Sequence, residues 1–105
     1  MNQDEQRVAI AKACGYRDFE VFKNLGSIWA ISPSEEAREI PQYLNDLNAC
    51  AEMEKTISSD GAEWNLYRMN LMRLCSKAKE ITDDISAPAS LRCKAFLLTK
   101  GEWKP

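Results

Sequence analysis

Three polar side chains, Asn45, Asp46 and Asn48, lie together where the sequence predicts a helix to begin. Their amide and carboxylate groups are of the kind that hydrogen-bond a ribose or the edge of a base. The same residue types also cap helices, because their side-chain oxygens accept hydrogen bonds from the unpaired N–H groups of the first turn. Both interpretations stay open, although capping alone accounts for these residue types at this place.

Aromatic rings and arginines supply the other groups that a bound nucleotide needs. Tyr43 and Trp103 lie outside the clearest core stripes, so they are the candidates for stacking on a base. Arg92 lies one turn into a predicted helix, and its rigid guanidinium fork suits a phosphate; the alternative for all the arginines is a solvated surface. The candidate ligand-binding set is Tyr43, Asn45, Asp46, Asn48, Arg68, Arg92 and Trp103.

The chain has no histidine, which excludes Ser-His and Cys-His nucleophile pairs and metal sites built on imidazole. Acid–base catalysis by Asp46 with Glu52 or Glu54 would need convergent carboxylates with perturbed pKa values, and no pattern indicates them. We therefore expect no enzyme activity and no cofactor. The cysteines are too widely spaced for the usual paired zinc ligands, so we expect buried, reduced thiols and no metal at Cys14, Cys50, Cys75 and Cys93.

The composition predicts one folded domain over residues 1–105, with 45% hydrophobic and 29% charged residues. A formal charge of −2 argues against binding to duplex nucleic acid, although a local cluster of arginines could still hold a small anion. Residues 1–13 are polar and acidic, unlike a signal peptide, and no apolar run approaches the ~20 residues that cross a membrane. We expect a cytoplasmic protein.

The first forty residues combine one helix with the only strand-like stretch. Residues 2–14 predict an amphipathic helix that ends at Gly15. Aromatic and branched residues on either side of a glycine turn predict a β-hairpin, with strands at 19–22 and 27–32, and residues 36–40 predict a short third strand. The second strand is apolar on both faces, so we expect it to be covered on both sides.

The rest of the chain is predicted to be helical. One helix runs from Tyr43 to near Ile57, capped by Asn45 or Asp46, and a turn at 58–61 follows in which Asp60 and Glu63 resemble a capping box. The next helix is predicted to have one apolar stripe, formed by Trp64, Tyr67, Leu71 and Leu74. Three further apolar residues lie beside the stripe and widen the apolar face; they are Leu66, Met69 and Met72.

The C-terminal part of the sequence is less regular at its start. Residues 77–84 are charged and fit no single element, and Ser86 is predicted to cap a final helix with Pro88 in its first turn and Gly101 at its end. Taken together, the elements predict an α+β fold. In that fold a small antiparallel sheet, the hairpin plus a third strand, is layered with about four helices.

Two segments resemble a known family. They are residues 41–49 (Pro-Gln-Tyr-Leu-Asn-Asp-Leu-Asn-Ala) and residues 87–98, with Trp29 upstream and Trp64 between them. The layout, from about Ile10 to Trp103, resembles the phage ABA-sandwich domain family of small phage and prophage proteins. The resemblance implies an α-β-α layered fold and an origin in bacteriophage DNA. It implies no catalytic residues.

The leading functional hypothesis is a non-enzymatic phage accessory protein that counters host defence in the bacterial cytosol by sequestering a nucleotide immune signal. The small sheet and the wide apolar helix face favour a homo-oligomer with the pocket at a subunit interface. A second hypothesis is an inhibitor or adaptor that docks an apolar patch with acidic surroundings on a host protein. A third is a structural phage helper protein without a small ligand.

Overall fold

The structure, a computed structural model, describes residues 1–57, 61–78 and 87–104. Its described part confirms the α+β class, with four helices and one three-stranded antiparallel sheet. In chain order the elements are α1 (Gln3–Ala13), β1 (Arg17–Phe22), β2 (Ser27–Ile31), β3 (Ala37–Glu39), α2 (Leu47–Glu54), α3 (Ala62–Ala78) and α4 (Ala89–Lys100).

Helix α1 begins and ends close to the predicted positions. Asn2 caps it: its Oδ1 accepts a hydrogen bond from the Glu5 backbone N–H at 2.8 Å, and the Glu5 carboxylate accepts one in return from the Asn2 backbone N–H. The chain leaves the helix through Gly15, whose φ of +99° suits a residue without a Cβ.

Strands β1, β2 and β3 lie in that order, as the predicted hairpin and third strand require. Trp29 in the central strand lies opposite Glu20 on one side and Glu39 on the other, and Val21 lies opposite Ile28. The inner face, with Ile28 and Ala30, is buried in the main hydrophobic core.

The prediction that both faces of β2 are covered is wrong. The Trp29 side chain is 39% exposed on the outer face, because the described helices contribute their buried residues to the core on the Ile28 side. The α-β-α layering that the family resemblance implies is therefore absent from the described residues.

Helix α2 is shorter than predicted. It ends at Glu54, because the N–H groups of Thr56 and Ile57 bond to carbonyls three residues back, at Met53 and Glu54, and no longer four residues back. The Thr56 hydroxyl also donates to the Met53 carbonyl at 2.7 Å. Ile57 nevertheless remains buried, so the apolar spacing correctly marked a core position beyond the helix.

Helices α3 and α4 pack together over the core. Four residues of α3 were predicted to share one apolar side of the helix. Tyr67, Leu71 and Leu74 are buried, whereas Trp64 remains partly exposed. Pro88 occupies the N-cap of α4 rather than its first turn, and its carbonyl accepts hydrogen bonds from the N–H groups of Leu91 and Arg92. Gly101 ends α4 in the left-handed conformation, with φ of +74°, as predicted.

Two predictions fall on residues outside the described part of the chain. They are the capping box of Asp60 with Glu63 and most of the charged stretch at 77–84. Within the described part, α3 extends to Ala78, so the start of that stretch is helical. The predicted Ser86 cap of α4 is wrong, because Pro88 occupies the N-cap and makes no side-chain capping hydrogen bond.

A buried arginine joins α1 to the segment after β3. Arg7 is only 6% exposed, and its guanidinium donates to the carbonyls of Ile40 at 2.9 Å and Pro41 at 3.3 Å. The carboxylates of Asp4 and Glu39 lie 3.9 and 4.0 Å from it. Since burying a charge without partners is costly, these contacts explain why an arginine is tolerated there.

Candidate functional site

The polar trio at the start of α2 includes a helix cap. Asp46 Oδ1 accepts a hydrogen bond from the Asn48 backbone N–H at 2.8 Å, and the Asp46 backbone is extended, as an N-cap requires. Asn45 lies in the preceding turn, where its N–H donates to the Gln42 carbonyl at 3.0 Å. The capping interpretation of Asp46 therefore holds, and a ligand-binding role for the trio stays a prediction.

Tyr43 lies in the core, so its predicted position outside the core is wrong. The side chain is 2% exposed, and burial raises the pKa of its phenol well above the usual value. Its backbone carbonyl accepts a hydrogen bond from the Cys50 thiol at 3.0 Å. A ring buried in this way has no face left for a base to stack on.

Arg92 belongs to a partly buried ion pair. Its Nη1 lies 3.3 Å from both carboxylate oxygens of Glu54, its Nε donates to the Ala87 carbonyl at 2.9 Å, and both ion-pair side chains are 16% exposed. The Tyr67 hydroxyl donates to the same Glu54 carboxylate at 2.9 Å. The guanidinium thus neutralises a charge of this chain, which opposes its predicted role as a phosphate anchor.

The predicted ligand-binding residues do not form one described site. Trp103 is partly buried beyond α4, and its ring faces the Lys94 ammonium at 4.7 Å. Arg68 is exposed on α3, and Arg92 contacts the end of α2 through Glu54. Of the contacts described above for this set, only the cap bond between Asp46 and Asn48 joins two of its members.

The cysteines are reduced, as expected, and three of the four are buried. A hydrogen bond to the neighbouring Cys50 sulfur, together with burial, raises the pKa of Cys93. Burial likewise raises the pKa of Cys14. Raised pKa values keep the Cys14 and Cys93 thiols protonated at neutral pH, whereas a nucleophile or metal ligand must be a thiolate. The hydrogen bond with Cys93 lowers the pKa of the Cys50 thiol. The described residues contain no cluster of three or more side chains suited to hold a metal ion.

Two concave regions fit a nucleotide poorly. A cavity of about 150 Å³ opens beside Arg38, whose Nε donates to the Tyr16 hydroxyl at 3.0 Å; this volume is smaller than the ~300–1,000 Å³ typical of drug-sized ligands. A groove of about 560 Å³ runs along α1, and its lining mixes the carboxylates of Asp4, Glu5 and Glu102 with the ammonium groups of Lys12 and Lys104, so positive charge is not concentrated there as a phosphate site requires.

The outer face of the sheet is the clearest exposed feature that combines apolar and charged groups. Because directly paired residues of antiparallel strands project to the same side, the strand register assigns eight residues to this face. They are Arg17, Glu20, Phe22, Ser27, Trp29, Ile31, Ala37 and Glu39, and the Arg17 guanidinium is paired with the carboxylates of Asp18 and Glu35.

Trp29 is central in this outer face, with a carboxylate on each neighbouring strand. Phe22 is also partly exposed on the same face, and Leu25 in the adjoining turn is 78% exposed. The sequence analysis missed this arrangement, because the apolar residues on both sides of β2 suggested two covered faces. The alternation of side chains along β1 would have indicated an exposed outer face, because it places the charged Glu20 on the same side of the strand as Phe22.

Comparison with known proteins adds no relative: no family model, no curated protein and no solved structure matches the chain. The family resemblance therefore stays a prediction. In the described part of the chain, no helix has both the length and the apolar character needed to cross a membrane.

Proposed function

We propose that this chain is a non-enzymatic protein-binding module that docks on a partner protein, as an inhibitor or adaptor, through the outer face. The observation that supports the proposal most directly is the 39% exposure of Trp29 at the centre of a sheet, between two strands that each place a glutamate beside it. This arrangement corresponds to the second of the three hypotheses, an apolar patch with acidic surroundings.

The side chains of the outer face suit an interface. Tryptophan is enriched among the residues that dominate binding energy, because its large ring fills a partner's pocket and excludes water. Phe22 on the same face and Leu25 in the adjoining turn extend the apolar area. Interfaces combine such a core with a polar rim, which Glu20 and Glu39 supply here.

The charges on the outer face indicate the kind of partner. Glu20 and Glu39 lie on either side of Trp29, but the Glu39 carboxylate also lies 4.0 Å from the Arg7 guanidinium, so Glu20 carries most of the uncompensated negative charge there; the complementary surface places a lysine or arginine opposite Glu20, beside an apolar pocket. A cation of the partner could also contact the indole ring, which attracts positive charge to its face.

Nucleotide sequestration has weaker support. Tyr43 is buried, Arg92 neutralises Glu54, and the two concave regions described above suit phosphate poorly. Sequestration, a phage origin and a role against host defence stay predictions that gene neighbourhood and thermal-shift assays with cyclic nucleotides would test.

The docking proposal is tested with Trp29→Ser and a matched control, Leu47→Ser. Leu47 is an exposed apolar residue in the first turn of α2, outside the outer face. Each variant and the parent protein are immobilised, and the proteins retained from a host lysate are compared. We expect a partner that binds the parent and Leu47→Ser alike and binds Trp29→Ser at least tenfold more weakly, as measured by titration calorimetry with the purified partner.

Because Trp29 lies on an open face, Trp29→Ser should retain a cooperative thermal unfolding transition. Equal retention of every partner by the parent and Trp29→Ser would contradict docking through the outer face. A second titration at higher salt separates the charge contribution, since screening weakens an acidic rim's attraction for a basic partner.

A further inference from the structure

Helix α3 is apolar on the side that faces away from the core. Leu66, Met69 and Met72 are 45, 60 and 49% exposed, whereas Tyr67, Leu71 and Leu74 on the opposite side are buried. Large apolar residues on the side of a helix that faces away from the core are typical of a surface that another protein covers. The outward residues form the α3 stripe, which we define as Ala62, Asn65, Leu66, Met69, Met72, Arg73 and Ser76.

The α3 stripe has a symmetric pattern about Met69. Leu66 and Met72 lie three positions before and after it, Asn65 and Arg73 four positions, and Ala62 and Ser76 seven positions. Spacings of three, four and seven return to one helix face. Two of the pairs match in kind, two large apolar residues and two small residues, and the third joins an amide that can accept a hydrogen bond to a guanidinium that donates one.

A second copy of α3 packed antiparallel would bring these matched pairs together. When two identical helices cross on a two-fold axis at Met69, each residue before Met69 meets the residue equally far after it in the partner. Leu66 then faces Met72 of the partner subunit, and Asn65 faces the partner's Arg73. The stripe spans 14 residue steps of about 1.5 Å, so roughly 21 Å of helix is in contact.

The charges on α3 do not oppose this pairing. Arg73 is the single charged member of the stripe, and it meets an asparagine, not another cation. The acidic residue near the start of the helix, Glu63, is paired with Lys100 at 2.8 Å on the α4 side. Methionine side chains suit such a contact because they adapt their shape to a facing surface.

We propose that two copies of this chain associate through the α3 stripe, with α3 antiparallel to its counterpart and Met69 on the two-fold axis. The contact is isologous, which closes the assembly as a dimer. It lies on a helix rather than on the outer face, so it is independent of the docking proposal. A dimer would present two outer faces.

The test uses a complementary pair of variants, Leu66→Glu and Met72→Arg. Light scattering after size exclusion should give the parent protein twice the chain mass of 11.9 kDa at about 50 μM. Each variant alone should elute as a monomer, because each buries two unpaired charges in the interface. An equimolar mixture should regain the dimer mass, since the introduced carboxylate of one chain meets the introduced guanidinium of the other.

Rescue in the mixture also fixes the orientation, because parallel helices would place like positions together and leave the two charges apart. A monomeric parent at 50 μM would overturn the proposal, as would dimeric single variants or a mixture that stays monomeric. Circular dichroism checks that the variants are folded. If either variant is not folded, Met69→Ser replaces it and should weaken dimerisation at least tenfold. Trp29→Ser should leave the dimer unchanged.

Discussion

The Glu54 carboxylate of α2 gathers two groups, one from α3 and one from α4, around one charge. It accepts from the Tyr67 hydroxyl at 2.9 Å and lies 3.3 Å from the Arg92 guanidinium, whose Nε also binds the Ala87 carbonyl. The pair is only partly exposed, so water screens the interaction less than at the surface. Arg92 therefore stabilises the junction of α2, α3 and α4.

We expect Arg92→Ala to lower the free energy of unfolding by about 1–3 kcal/mol, because it leaves Glu54 without its counter-charge in a confined site. Urea unfolding measures the loss. The double variant Glu54→Gln with Arg92→Ala should recover part of it, since the carboxamide has no charge to neutralise. Arg17→Ala is the control, because the fully exposed pairs of Arg17 with Asp18 and Glu35 contribute little. Equal losses at Arg92 and Arg17 would contradict this role.

Residue type alone was a poor guide to arginines and aromatics. Arg92 and Tyr43 were predicted as ligand groups, yet one is an internal counter-ion and the other a core ring. Arg7, which the sequence analysis did not single out, proved to be the buried one. Their partners lie more than thirty positions away in the sequence, at Glu54 for Arg92 and at Ile40 for Arg7, so no local pattern indicates them.

Among the elements, the start of α2 offers a direct test of capping against ligand binding. Asp46→Ala removes the acceptor of the Asn48 N–H bond and should cost about 1 kcal/mol of stability in urea unfolding, whereas Asp46→Asn keeps an acceptor and should cost much less. Asn45→Ala, one residue earlier, is the matched control. A loss for Asn45→Ala as large as that for Asp46→Ala would argue against a cap at Asp46.

Local patterns predicted the elements well and their surroundings less well. Helix α1 with its glycine end, the hairpin, the third strand and the glycine end of α4 follow from short-range chemistry that any window of sequence contains. Whether both faces of β2 are covered cannot be predicted in this way. The residue type of Trp29 is the same whether a helix covers its side chain or the side chain faces solvent. The early end of α2 likewise depends on a change to tighter hydrogen bonds that apolar spacing cannot indicate.

At the scale of the whole molecule, several side chains that can form hydrogen bonds are buried in the core and do not face solvent. Burial raises the pKa of the Tyr43 and Tyr67 phenols, and a hydrogen bond with burial raises that of the Cys93 thiol. These groups serve packing, and Tyr43, which belonged to the predicted ligand-binding set, is one of them. The outer face exposes apolar side chains beside carboxylates, and the α3 stripe exposes apolar side chains with Arg73; both surfaces favour association with proteins.

The inward thiols and phenols predict a pH dependence of stability. A group whose pKa is higher in the folded than in the unfolded chain contributes stability that is complete below the unfolded pKa and is lost as the pH rises above it, because the unfolded chain then releases its proton first. Unfolded thiols and phenols titrate near pH 8.5 and 10. The free energy of unfolding should therefore fall from about pH 9 upward, each group contributing at most ~1.4 kcal/mol per pH unit.

Urea unfolding at pH 7.5, 9.5 and 11 measures this loss, and Tyr67→Phe separates one contribution. That variant removes the hydrogen bond to Glu54, so it should be less stable at pH 7.5. Because it also removes a phenol whose pKa burial raises, its stability should fall less steeply above pH 9.5 than that of the parent. Parallel curves for the two proteins would mean that the Tyr67 phenol titrates alike in the folded and unfolded chains, and would contradict a pKa raised by burial beside a carboxylate.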